Sequence, residues 1–120
     1  MTDRVLFISW GENIAGREER GLEVFNETIG FYGRCKDEGR IEDFAVVLLA
    51  PNADVDGYLQ IAGSAEQLAA LTDDDEYLRM LTEASTVVHK VRVSEGFTGN
   101  GIARLMGIYS AAVEKSPQMA

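Results

Sequence analysis

Four short segments of the chain are rich in β-branched and aromatic residues, a composition that favours β-strands. They are Arg4–Trp10, Ile41–Ala50, Tyr58–Ala62 and Val87–Ser94. The first two are apolar at consecutive positions, which is typical of strands that are covered on both faces. Only the turn-forming residues 51–57 separate the second segment from the third, so these two strands are predicted to form a hairpin.

The segments between these strands change to the period of a helix. Apolar residues recur at spacings of three and four from Leu22 to Tyr32, which predicts an amphipathic helix that ends at Gly39. Ser64 opens a second helix with the pattern of a capping box, and the acidic run 73–76 restarts or bends that helix. Both helices follow a strand and precede another, as in a repeated β-α-β unit.

Three glycines interrupt the first predicted helix, at Gly21, Gly30 and Gly33. Glycine inside a helix costs about 1 kcal/mol relative to alanine. We therefore expect another part of the chain to approach this helix closely at these positions.

The element order is completed by a short third helix, from Ile102 to about Lys115. The order β-α-β-β-α-β-α is a ferredoxin-like α+β arrangement with a C-terminal helix. Right-handed crossovers and the central hairpin predict a four-stranded antiparallel sheet in which the strands lie in the order 4-1-3-2. The 120 residues are predicted to form one domain, with an ordered core from about 4 to 115.

The second face of this sheet is also predicted to be apolar, although the helices of such a domain cover only one face. In the first strand, Val5 and Phe7 alternate with Leu6. In the second strand, Val46 alternates with Val47. An exposed apolar face of this size exceeds what monomers usually tolerate. The sequence thus predicts a homodimer that joins two sheet faces, and the alternative is a monomer whose third helix folds back over its own sheet.

These features resemble the dimeric α+β barrel superfamily, in which two ferredoxin-like domains press sheet against sheet and the C-terminal segment often holds the partner. The resemblance extends from residue 4 to about 115 and rests on the element order and the two-sided strands. Residues 10–12, 22–27 and 38–42 are also similar to small bacterial proteins with no assigned function. The superfamily includes cofactor-independent monooxygenases, lactone isomerases, haem-degrading enzymes and stress-responsive proteins, so the resemblance implies a fold and a dimer without fixing a reaction.

The charge of the chain narrows the choice of partners. The formal net charge is -9, and the eleven Lys and Arg residues form no run, which disfavours binding to nucleic acid or to anionic membranes. The longest apolar run, Ala45–Ala50, is far shorter than the roughly 20 residues that span a bilayer. Cys35 is the only cysteine, and the N-terminus lacks the pattern of a signal peptide, so a reducing, cytoplasmic location is expected.

His89 is the only histidine and the one candidate for catalysis. In the predicted fourth strand it alternates with Val87, Val91 and Val93, which would place it on the same face as three valines. A catalytic base in a barrel cavity or a haem ligand would have this pattern, and so would a hydrogen-bonded core histidine. Metal sites require several ligands at suitable spacing, so neither a metal site nor a cofactor is predicted.

Five other residues are candidates for ligand binding because strand ends beside a sheet cavity often carry binding groups. Trp10, Glu12 and Arg17 lie at or after the end of the first predicted strand. Tyr58 and Gln60 share one face of the third strand and are expected next to a cavity.

Three further motifs are better explained by local structure than by a binding site. Residues 52–57 match the first half of an EF-hand loop, but Gly63 occupies the position where a bidentate Glu is required. The acidic run 73–76 suits the first turn of a helix. The glycine-rich segment 96–101 has neither the spacing nor the Lys of a phosphate-binding loop.

Two classes of function stay open. The chain is either a homodimeric small-ligand-binding or structural module without catalysis, or a small cofactor-independent enzyme, monooxygenase-like or isomerase-like, that uses a barrel cavity near His89. The lack of an acid–base constellation favours the first class. A cavity lined by His89, a carboxylate and aromatic side chains would favour the second, whereas a filled interior would favour a structural module.

Overall fold

The computed structural model describes residues 2–117, which form a four-stranded sheet with helices packed on one face. The elements, in chain order, are β1 (Arg4–Trp10), α1 (Glu18–Asp37), β2 (Asp43–Leu48), β3 (Gly57–Gly63), α2 (Ala65–Thr72), α3 (Asp75–Ser85), β4 (Arg92–Phe97) and α4 (Asn100–Lys115). The strands are antiparallel and lie in the order β2-β3-β1-β4, which confirms the predicted topology. No helix within the described residues is long and apolar enough to cross a membrane.

One set of alternating side chains on the sheet forms the core under the helices. Leu6 of β1 pairs with Ile61 of β3, and Ile8 pairs with Leu59. All four are buried against α1, α2 and α3. Val46 of β2 pairs with Leu59 and packs against the same core. These positions confirm that one apolar set of β1 and β2 faces the helices.

The other set of side chains lies on the second face of the sheet, which we call the open face. Val5 of β1 pairs with Ala62 of β3, and Val47 of β2 pairs with Tyr58. Phe7 contacts Tyr58 on this face, and their ring centroids are 5.1 Å apart. The open face is therefore apolar and aromatic in the part of the sheet made by β1, β2 and β3, as predicted.

The starts of α2 and α3 show why the acidic segment 73–76 divides one helical stretch into two. Ser64 Oγ accepts a hydrogen bond from the Gln67 amide at 3.1 Å, and the Ser64 amide donates to Gln67 Oε1 at 2.8 Å, which is the predicted capping box. Asp74 then caps α3, because its carboxylate accepts from the amide of Tyr77 at 3.1 Å. Asp74 thus satisfies backbone donors that a new helix start leaves free.

The last strand begins later than its sequence indicates. A strand over Val87–Ser94 was the expectation, but β4 spans Arg92–Phe97. Val88 forms only an isolated bridge to the loop after β1, and Lys90 has a φ of 57°, which turns the chain before β4 begins. The predicted strand position of His89 was therefore wrong, because the positive φ ends the alternation on which that prediction depended.

Helix α4 extends away from the rest of the chain. Every side chain from Ile102 to Lys115 is exposed, and Tyr109 is 60% exposed. The Cα radius of gyration is 17.1 Å, whereas a compact chain of this length has about 14 Å. In this structure α4 does not fold back over its own sheet, so the open face stays uncovered.

The glycines of α1 differ in their surroundings. A Cβ on Gly21 would lie 2.8 Å from Asn13 Oδ1, which confirms the expected close approach. A Cβ on Gly30 would have only an ordinary contact with Arg34, at 3.8 Å, and a Cβ on Gly33 would have no neighbour within 4 Å. The expectation was therefore wrong at Gly30 and Gly33.

Gly33→Ala is expected to raise the free energy of unfolding by roughly 0.5–1 kcal/mol, because alanine restricts the unfolded chain and meets open space in the helix. Gly21→Ala is the matched variant and is expected to raise the free energy of unfolding by less than Gly33→Ala does, because the Asn13 side chain must move to make room. Urea denaturation of the two proteins at equal concentration measures both changes. A loss of stability in Gly33→Ala would contradict the open environment of this residue.

Candidate functional site

A cavity of about 620 Å³ lies between the helix-facing side of the sheet and the helices α1 and α3. It is bounded by the end of β1, the β2–β3 hairpin, the part of α1 from Gly21 to Tyr32, the end of α3 and the segment between α3 and β4. Its volume falls within the range of roughly 300–1,000 Å³ that is typical of small-molecule sites. Within the described chain it is the main candidate for a functional site.

The deep walls of the cavity are apolar. Ile8 and Leu59 form the floor on the sheet, and Val24, Met80 and Val87 come from the elements above it. All five are buried. Because these side chains leave a space between them, the sheet and helices do not fill this end of the core as they do around Ile61.

An aromatic wall closes the side of the cavity at the end of β1. Trp10 pairs with Gly57 of β3, and a Cβ on Gly57 would lie 2.7 Å from the Trp10 ring. The absence of a side chain on Gly57 thus makes room for the indole above the sheet. Trp10 also meets Phe25 of α1 edge to face, with ring centroids 6.2 Å apart. This contact joins the strand end to the helix across the cavity.

Polar groups are concentrated at the mouth of the cavity. Glu12 and Asn13 follow β1 and are exposed, and Asn52 and Asp56 belong to the β2–β3 hairpin. The Asn52 side chain is occupied by its own loop: its Nδ2 donates to the Val55 carbonyl at 2.6 Å. Of the residues described, none that lines the cavity is basic.

Tyr32 is the most deeply buried polar residue of the lining, with 2% of its surface exposed. Burial raises the pKa of its phenol well above the ordinary value, and the neighbouring Tyr77 and Cys35 act in the same direction. The hydroxyl is therefore neutral at physiological pH. Within residues 2–117 no hydrogen bond satisfies it, whereas the hydroxyl of Thr28, also in the lining, donates to the Val24 carbonyl at 2.7 Å.

The residues predicted to bind a ligand are divided between three places. Trp10 and Glu12 line the cavity. Arg17 lies outside the lining, and its guanidinium donates to the carbonyl of Thr86, which joins the start of α1 to the end of α3. Tyr58 and Gln60 lie on the open face and outside the lining of this cavity, so their role in binding stays a prediction. The side chains of β3 alternate between the two faces of the sheet, and Leu59 and Ile61 are the ones that face the helices.

His89 is exposed and is not part of the cavity lining. Its backbone nevertheless fixes the segment after β1 at the mouth of the cavity. The Gly11 amide donates to the His89 carbonyl at 2.8 Å, and the His89 amide donates to the Glu12 carbonyl at 2.9 Å. A catalytic role for His89 stays a prediction, and its position outside the cavity does not support it.

Two titratable residues of the cavity lining were not identified as candidates from the sequence. Tyr32 belongs to the apolar stripe of α1, and a tyrosine in such a stripe gives no sign that its hydroxyl lacks a partner. Asp56 lies among turn-forming residues, where an aspartate is common for local reasons. Its contact with the end of β1 depends on the pairing of β1 with β3, which brings together residues far apart in the sequence.

Cys35 and the acidic segments show no features of a reactive or metal-binding site. Cys35 is 1% exposed, and burial raises the pKa of its thiol, which keeps it protonated. Across residues 2–117 there is no group of three or more His, Cys, Asp and Glu side chains that could hold a metal ion.

Comparison with known proteins supports the fold. No protein-family model and no curated protein match the chain. A dimeric protein of unknown function and ferredoxin-like fold from Bacteroides fragilis has a TM-score of 0.60 and 12% identity, over 79% of this chain and 96% of that one. SnoaB, a cofactor-independent oxygenase from Streptomyces nogalater, has a TM-score of 0.49 and 18% identity, over 81% and 92% of the two chains. The resemblance predicted from the sequence is thus confirmed for the ferredoxin-like α+β fold.

Proposed function

We propose that this protein is a homodimeric module that binds a small, mainly apolar molecule in the cavity between the sheet and the helices α1 and α3. The observation that carries the proposal is the cavity itself, about 620 Å³ in volume with buried apolar walls. A purely structural module would gain stability by filling this space, because close packing is what protein interiors favour. An unfilled space with an aromatic wall and a polar mouth suits a bound ligand.

The dimer is supported by the two apolar surfaces that a single chain leaves exposed. The open face presents Phe7, Val47 and Tyr58, and α4 presents a stripe that includes Leu105 and Tyr109. A second copy offers the same surfaces in return, so a two-fold contact covers both at once. The protein from Bacteroides fragilis that shares the fold is described as dimeric, which agrees with this assembly.

The alternative is a small cofactor-independent enzyme, monooxygenase-like or isomerase-like, that uses the same cavity. The observation that favours it is the presence of two carboxylates, Glu12 and Asp56, together with the hydroxyl of Tyr32 in one lining. Carboxylates and phenols are able to transfer protons when they reach the reacting group. His89, the expected catalytic base, lies outside this lining, which is why binding without catalysis is the first proposal.

Adamantanol, a compact neutral probe, is expected to bind this cavity and to change the fluorescence of Trp10, which is the only tryptophan and lies in the wall. Ala84→Phe is expected to weaken this binding about tenfold or more, because Ala84 lines the cavity and a ring would occupy part of the space. Fluorescence titration and calorimetry measure both affinities.

Ala70→Phe is the matched control, since Ala70 is exposed on α2 and is not in the lining. Circular dichroism verifies that both variants are folded. The proposal fails if neither adamantanol nor a charged compound with the same skeleton binds the unmodified protein, or if Ala84→Phe binds the probe as tightly as Ala70→Phe does.

A further inference from the structure

We infer that the ligand of this cavity combines an apolar skeleton with a positively charged, amine-type group. The inference rests on the proposed function, that the cavity is a ligand site, and it adds the chemical class of the molecule. It depends on the balance of charge at the mouth, on the way the backbone positions that charge, and on the side chains deeper inside.

The mouth of the cavity carries negative charge that the protein does not neutralise. Glu12 and Asp56 both belong to the lining, and neither forms an ion pair within the described residues. The contrast with the outer surface of α1 and α3 is clear, because Glu27, Glu76 and Glu83 are each paired with an arginine there. A positively charged group of the ligand would neutralise the carboxylates at the mouth, as arginine does for the glutamates on α1 and α3.

The backbone holds Glu12 and Asp56 at the two sides of the end of β1. The Asp56 amide donates to the Trp10 carbonyl at 2.8 Å, and its carbonyl accepts from the Leu49 amide at 2.9 Å. Glu12 is held through its carbonyl, which accepts from the His89 amide at 2.9 Å. Both carboxylates therefore project from a backbone that is tied to neighbouring elements, and a ligand need not order the loop before it binds.

The interior of the cavity suits the rest of such a molecule. The rings of Trp10 and Phe25 are in the lining, and aromatic faces attract cations as well as apolar groups. Tyr32 lines the cavity, and its neutral hydroxyl is able to form a hydrogen bond with a polar atom of the ligand. A carboxylate or phosphate would instead face two like charges and no basic side chain. The net charge of -9 adds to that repulsion.

The test uses three probes that share one apolar skeleton and differ only in charge: adamantylamine, adamantanol and adamantanecarboxylate. Titrations at low salt, followed by calorimetry and by Trp10 fluorescence, are expected to show that the amine binds about tenfold more tightly than the alcohol. The carboxylate is expected to bind more weakly than the alcohol. Added salt is expected to reduce the difference between amine and alcohol, because it screens charges at an exposed mouth.

The double variant Glu12→Gln, Asp56→Asn is expected to remove the preference for the amine while the affinity for adamantanol stays within about twofold. Glu66→Gln is the control, because Glu66 is exposed on α2 outside the lining and its loss makes the net charge less negative without changing the mouth. It is expected to keep the full preference. Circular dichroism and thermal melting check that each variant is folded.

The outcomes separate this inference from the proposed function. Equal binding of all three probes, or an unchanged preference in the double variant, overturns the inference and leaves the ligand site in place. Tighter binding of the carboxylate also overturns it. Failure of all three probes to bind overturns the proposed function and the inference together.

Discussion

Val47→Asp is expected to convert the proposed dimer into a folded monomer, whereas Val46→Asp is expected to unfold the subunit. The two residues are neighbours on β2 but lie on opposite faces of the sheet. Val46 pairs with Leu59 and packs against the core under the helices, and Val47 pairs with Tyr58 on the open face. The pair therefore tests both faces with the same chemical change.

The expected magnitudes follow from the surroundings of each side chain. Val46 is partly buried and packs against the core under the helices, so a carboxylate there would lose much of its hydration without a partner, at a cost of up to several kcal/mol, which is a large part of the stability of a small domain. A carboxylate in place of Val47, which is half-buried on the open face, keeps contact with water in the free subunit and is not enclosed by the helices. In a two-fold contact this carboxylate would be buried twice, once from each copy. The dimer is therefore expected to weaken by a thousandfold or more in affinity, which corresponds to roughly 4 kcal/mol.

Sedimentation equilibrium at micromolar concentration measures the mass, and circular dichroism measures the fold. The unmodified protein is expected at twice the chain mass of 13.1 kDa, and Val47→Asp at the chain mass itself. Val47→Thr is the control, because it changes polarity without adding a charge and is expected to keep most of the dimer. A folded, dimeric Val46→Asp would contradict the assigned core face, and a dimeric Val47→Asp would contradict the proposed interface.

Ile61→Ala is expected to lower the free energy of unfolding by about 2–5 kcal/mol, the usual cost of removing a large buried aliphatic side chain. Ile61 is 0% exposed, and it pairs with Leu6 on one side and with Phe44 on the other. It therefore lies in the middle of the core, away from the cavity, where truncation leaves a void that neighbouring side chains cannot readily fill.

Urea denaturation measures this change, with both proteins at the same concentration because association would also contribute to stability. Glu66→Ala, on the exposed side of α2, is the control and is expected to stay within about 0.5 kcal/mol. A loss below about 1 kcal/mol in Ile61→Ala would mean that the core around β3 relaxes around the void.

The element order and the sheet topology were predictable because their signals are local. Strand β1 has the predicted bounds, and the capping box at Ser64 marks the start of α2 correctly. The apolar residues on both sides of β1 and β2 also indicated a two-faced sheet. These signals are periodicity and capping, which depend on residues a few positions apart.

The candidate site was predicted only in part, and each error has a physical cause. Trp10 ends β1, Glu12 follows it, and both line the cavity, while their role in binding stays a prediction. His89 was expected in a strand, but the backbone turns at Lys90, and the set that contains Tyr58 lies on the open face because alternation does not say which set faces the helices. Both outcomes concern the direction in which a side chain points, which depends on contacts between distant segments.

The sequence by itself thus determined the elements, their order and the presence of two apolar faces, since hydrophobic period and turn chemistry act within a few residues. Only the tertiary structure decided which face is covered, where the core leaves a cavity and which polar side chains meet at its mouth. The pairing of β1 with β3 brings Asp56 to Trp10, and the packing of α1 on the sheet brings Tyr32 into the same lining. These contacts depend on long-range packing, which no short segment of the chain encodes.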